Sequence, residues 1–104
     1  MGYPRRGIVN FDKKIKVVGS VYSDLTKMGV IFYSDQPGLQ FYTGNMMGNY
    51  YNGKYNKPYG YQHGFCFEPQ VFPNSINQPG FTSSILRAGE KYLSLIIMKL
   101  RNDF

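Results

Sequence analysis

At 104 residues the chain holds material for one small domain and no second core, and 42% apolar against 17% charged residues excludes a disordered composition. The formal charge of +6 is spread singly, apart from Arg5-Arg6 and Lys13-Lys14-Ile15-Lys16, so a solvated basic surface fits it better than a nucleic-acid footprint. Cys66 alone rules out an internal disulfide framework, Met1 to Asn10 lacks the apolar stretch of a signal peptide, and the run Leu95-Ile96-Ile97-Met98 is far below the ~20 residues of a membrane helix. A soluble, cytoplasmic protein is the expectation.

Ten Tyr and eight Phe with no Trp suit pleated, half-buried surfaces, and twelve Gly with six Pro interrupt the chain too often for long helices. One all-β domain over 1–104 is expected, with 1–17 as the segment where irregular structure is expected. The first strands are read at Ile15–Ser23 and Met28–Ser34. Asp35-Gln36-Pro37-Gly38 then has the Pro-Gly order of a type II turn and is expected to make a hairpin into Leu39–Thr43. From Gly44 to Gly60 no period of 2 or 3.6 survives, which predicts a long loop. Its Tyr50, Tyr51, Tyr55, Tyr59 and Tyr61, interleaved with Lys54 and Lys57, fit three uses: capping the sheet edge, stacking on sugar rings, or stacking on bases. Further strands are read at Gly64–Gln70, Ser84–Arg87 and Tyr92–Leu100, the last two joined through Gly89-Glu90. Tyr92–Leu100 is apolar at most positions on both faces, as in a strand covered on both sides.

Groups able to do chemistry are few. Of six carboxylates, Asp12, Asp24, Asp35, Glu90 and Asp103 sit in turns or near a chain end, whereas Glu68 lies within the aromatic run Phe65-Cys66-Phe67. Strand alternation puts Phe65 and Phe67 on one face and Cys66, Glu68 and Gln70 on the other; it also separates Leu39, Phe41 and Thr43 from Gln40 and Tyr42. If the two strands are neighbours, Gln40 and Glu68 share a polar concavity. His63, five residues before Glu68, points to the opposite face of a continuous strand and makes a poor acid/base partner without a turn near Gly64. One His and one Cys without clustered carboxylates supply no metal site, and Cys66 reads as a small buried apolar side chain. There is no phosphate-cradling Gly-rich loop and no nucleophile elbow.

Three motifs carry a resemblance: Gln36-Pro37-Gly38-Leu39-Gln40-Phe41-Tyr42-Thr43-Gly44-Asn45, then Gly64-Phe65-Cys66-Phe67-Glu68-Pro69-Gln70, then Phe72-Pro73-Asn74-Ser75-Ile76-Asn77-Gln78-Pro79. In order and spacing they resemble the aldose 1-epimerase (galactose mutarotase) family, and Leu86-Arg87-Ala88-Gly89-Glu90-Lys91-Tyr92 is similar to its closing segment. The resemblance implies the C-terminal portion of a much longer antiparallel β-sandwich, a galactose mutarotase-like supersandwich. It implies an isomerase of carbohydrate metabolism that interconverts α and β anomers of aldohexoses such as galactose or glucose, without cofactor or metal. Glu68 matches the family's general base and Gln40 a glutamine that contacts the sugar. The family's histidines and a sugar-holding aspartate come from upstream segments that have no counterpart here, and His63 does not match them. Pro69 stands where the family commonly has Thr, and Asn74 where it commonly has Asp. The expectation is therefore an incomplete active site, or a non-catalytic carbohydrate-binding fragment. Its expected partners are an aldohexose and either a second copy or an upstream companion segment, and neither nucleic acid nor membrane.

Overall fold

The computed structural model describes residues 14–103, and all of its regular structure beyond two single turns of 3-10 helix is antiparallel β. Five strands form two sheets. β1 (Lys16–Tyr22), β2 (Gly29–Ser34) and β5 (Ile96–Arg101) lie in the order β1-β2-β5, while β3 (Gly38–Tyr42) pairs only with β4 (Cys66–Gln70). The expectation for residues 1–13 lies outside the described residues.

β1 and β2 form a hairpin whose connection is closed by Ser23 N–H donating to the Met28 carbonyl at 2.9 Å and Lys27 N–H to the Ser23 carbonyl at 2.8 Å. A bulge at Val18 interrupts the ladder between the Val17–Tyr33 and Gly19–Phe32 pairs. Gly19, next to this bulge, faces the second sheet. A methyl group there would stand 3.0 Å from the Phe67 ring and 3.1 Å from Leu39. The missing side chain is thus what lets β1 approach β3 and β4. The contact between the sheets is aromatic: Phe32 and Phe67 lie 4.7 Å apart, Phe67 stacks on Phe41 at 5.0 Å, and Phe65 meets Phe67 edge-on at 5.8 Å. Phe32, at 9% exposure, is the only buried apolar side chain among the described residues. The core is therefore a short row of phenyl rings, with Phe41 and Phe65 still half in solvent.

Asp35-Gln36-Pro37 does not make the expected hairpin. β2 and β3 belong to different sheets, Gly38 is the first residue of β3, and its φ is not positive as position three of a type II turn requires. The segment is a crossing between sheets, held by a polar cluster. Gln36 N–H donates to Oγ of the fully buried Ser34 at 3.1 Å, and Gln36 Nε2 donates to Ser94 Oγ at 2.9 Å and the Tyr92 hydroxyl at 3.2 Å. Asp35 Oδ1 accepts from Ser94 Oγ and from Leu95 N–H, each at 3.2 Å. Tyr92, Ser94 and Leu95 are thereby committed to the crossing, which explains why the last strand starts at Ile96, opposite Ser34, and not at Tyr92.

Two further expectations are corrected. Ser84–Arg87 is not a strand: Ile85 N–H bonds back to Ser83 Oγ at 3.2 Å, a local alternative to ladder pairing. Gly89, at φ 84, does form a turn, closed by Glu90 N–H to the Arg87 carbonyl at 3.1 Å, but it joins irregular segments and not two strands. β5 is also not covered on both sides. It is an edge strand exposed at every position, because no third layer of described residues packs on it. Pro69 sits in β4 opposite Leu39, at the free edge of a two-stranded sheet where its missing N–H disturbs least.

Candidate functional site

The register of β3 on β4 decides which side chains meet. Gln40 lies directly opposite Glu68, Tyr42 opposite Cys66, and Gly38 opposite Gln70. Phe41 and Phe67, paired one step away, turn to the aromatic core. By alternation the other face carries Gly38, Gln40 and Tyr42 on one strand with Gln70, Glu68 and Cys66 on its partner. The polar grouping expected from sequence is present as a cross-strand stripe. Directly opposed residues have Cβ atoms about 5 Å apart, close enough for one small polyol to touch both.

Glu68 is exposed, so the aromatic run around it does not bury its carboxylate. Gln40 is tied within the stripe: Gln70 Nε2 donates to Gln40 Oε1 at 3.0 Å. Beside this amide pair lies a cavity of about 160 Å³ lined by Leu39, Val71, Phe72 and Pro73 together with Gly38, Gln40 and Gln70. At the other end of the stripe the Tyr42 hydroxyl accepts from Met46 N–H at 2.8 Å, anchoring the start of the long loop. Cys66 is exposed on this stripe, contrary to the buried position expected for it, because alternation turns it away from the phenyl core.

His63 stands apart. It precedes β4 in a turn where its ring Nδ1 accepts from Gly60 N–H at 2.9 Å while its backbone N–H donates to the Gly60 carbonyl at 3.0 Å. Both bonds serve the loop base, and among the described residues no hydrogen bond joins it to Glu68. The loop itself is folded on its own backbone, with Asn49 N–H on the Tyr59 carbonyl and Gly53 N–H on the Lys57 carbonyl. Tyr50, Tyr51 and Tyr55 are exposed on it, and the Tyr59 hydroxyl accepts from Lys54 N–H at 3.0 Å. Among the described residues no group of three or more His, Cys, Asp or Glu can hold a metal ion, and no helix is long and apolar enough to cross a membrane. Sequence reading placed Gln70 on the right face but missed its bond to Gln40, because a diagonal contact depends on register. It also missed the Asp35–Gln36 cluster, whose partners lie nearly sixty residues away.

Comparison with known proteins agrees with the motifs. The family model for aldose 1-epimerase matches residues 9–99. Galactose mutarotases of Sus scrofa and Homo sapiens are each 47% identical over 60 residues, which is 58% of this chain and 18% of theirs. Aldose 1-epimerase of Escherichia coli K12 is 35% identical over 82 residues, 77% of this chain and 23% of its own length. The chain thus spans about a fifth of the length of the curated relatives it matches. Since the model match covers most of the chain and the sheets are those the motifs imply, the chain belongs to the aldose 1-epimerase family.

Proposed function

We propose that the Gln40–Glu68 stripe handles the anomeric end of an aldohexose such as galactose or glucose. Glu68 takes the proton of the anomeric hydroxyl as the bond from C1 to the ring oxygen breaks and the ring oxygen gains a proton. The C1–C2 bond rotates in the open aldehyde, and reclosure with the two protons returned gives the other anomer. Gln40 holds the sugar beside the base. The observation that carries this reading is the direct pairing of Gln40 with Glu68 on one exposed face, in a chain of this family.

The ring oxygen needs its own proton donor, and His63 sits in the turn on Gly60 with no hydrogen bond to Glu68. In this reading the acid comes from outside this copy of the chain, from a second copy or from a companion segment. A cytoplasmic setting suits a lone unpaired cysteine. The same lack of an acid favours a second reading, sugar binding without turnover. Polarimetry of freshly dissolved α-D-galactose and α-D-glucose separates the two. A rate above buffer that disappears in Glu68→Gln supports the enzyme reading. No acceleration, with hexose binding that is lost in Gln40→Ala, supports the binding reading. Neither acceleration nor binding overturns both.

A further inference from the structure

We propose that Gln70 is a positioning residue that fixes the orientation of the Gln40 carboxamide, so that the stripe presents N–H donors from Gln40 beside the acceptor oxygens of Glu68. This deepens the sugar reading and rests on it. A glutamine amide has an acceptor end and a donor end, and an unconstrained one offers either to a ligand. Here Gln70 Nε2 occupies Gln40 Oε1 at 3.0 Å, which commits the acceptor end and leaves the Gln40 Nε2 hydrogens without an acceptor among the described residues. Glu68, directly opposite, has no donor in its ionised form and can only accept, so the two side chains together form a donor next to an acceptor. The ligand chemistry that fits is a hydroxyl that gives its proton to Glu68 next to an oxygen that accepts from Gln40, as on adjacent carbons of a cyclic hemiacetal.

The geometry that makes this contact is specific to the register. Gln70 faces Gly38, not Gln40, so it must lean diagonally along the ladder to reach its acceptor. Gly38 offers no side chain for it to pack on. A methyl group there would come 2.8 Å from the Phe72 ring and 3.3 Å from the Gln70 carbonyl oxygen. The Phe72 ring fills the space over Gly38, and the Gln70 amide reaches Gln40 instead.

Three variants of the full chain test the assignment, read by side-chain amide NMR of Gln40 and by galactose titration. Gln70→Leu removes the donor, and the two Gln40 amide protons are expected to move toward the shifts of a free, rotating carboxamide. Gln70→Glu supplies only acceptors, which reverses the amide, and galactose affinity falls about three- to tenfold in both variants, the range for one neutral hydrogen bond. Gln70→Lys restores a donor to Gln40 Oε1 and is expected to hold affinity within about twofold of the parent chain. Unchanged Gln40 amide signals in both Gln70→Leu and Gln70→Glu would overturn the proposal. A parent chain that binds no galactose overturns the sugar reading instead, and the amide signals still decide whether Gln70 positions Gln40.

Discussion

At the scale of single residues, the two sheets are joined by very little apolar burial, so Phe67 carries an unusual share of the packing. It touches Phe32, Phe41 and Phe65 at once, each by a ring contact worth about 0.5–1.5 kcal/mol beyond its area. Phe67→Ala is expected to destabilise the fold by about 2–3 kcal/mol, below the full cost of a buried Phe because the ring is only half-buried. Urea unfolding measures it, and a loss no larger than that of an exposed-site variant such as Tyr55→Ala would refute the claim. Gly44 governs the loop in the same local way. At φ 76 it accepts from both Gln62 N–H and Met47 N–H, and a methyl group there would stand 2.6 Å from the Gly64 carbonyl oxygen. Gly44→Ala combines backbone strain with that clash, so a cost of about 1–3 kcal/mol is expected, with the amides of Met47 and Gln62 losing hydrogen-exchange protection first. Exchange unchanged at both amides would count against this anchor.

At the scale of elements, the placement of β5 follows from the polar crossing and not from its own sequence. Gln36 is 3% exposed and donates to both Tyr92 and Ser94, so Gln36→Leu removes both bonds across the crossing at a cost of about 1–3 kcal/mol. The expected readout is faster amide exchange at the Ile96 end of β5 than at the Leu100 end. Uniform protection along the strand would mean that the ladder to β2 suffices. This element also marks the limit of what was legible in the sequence. β1 to β4 were readable because short apolar runs with period 2 and flanking turn residues determine them locally, and the same alternation set Gln40 and Glu68 on faces that the register then brought together. Ser84–Arg87 and residues 92–95 carry equally apolar residues but no local signal of whether a partner strand exists. Pro37-Gly38 has turn chemistry that serves a sheet crossing as well as a hairpin, and only the distant Ser94 and Leu95 distinguish the two. Cys66 was misread for the complementary reason, since its size and polarity say nothing about which face alternation assigns it.

At the scale of the whole molecule, the surface is too large for the chain. It exposes 9187 Å², whereas a compact monomer of this mass exposes about 6000 Å², and its radius of gyration is 18.1 Å against about 13 Å for a compact chain of 100 residues. The difference in area is comparable to what permanent interfaces cover, about 2000–5000 Å². One continuous part of the apolar exposure is β5, where Leu100 is 79% exposed on an edge with unpaired backbone groups. Edge pairing between copies, or with a companion segment, would cover both the backbone and the side chains. The charge of +6 opposes association of identical copies, and salt screens that repulsion over about 10 Å at 0.1 M. Sedimentation equilibrium is therefore expected to show self-association that strengthens with salt, the reverse of a salt-bridged interface. Leu100→Lys adds a charge where about 1.5–3 kcal/mol of apolar burial would be lost, so it should weaken association by about tenfold or more. A parent chain that stays monomeric at every concentration and salt would exclude the second copy as the cover. The remaining route to a covered β5 would then be the companion segment, to be sought by the gain of hexose turnover it brings.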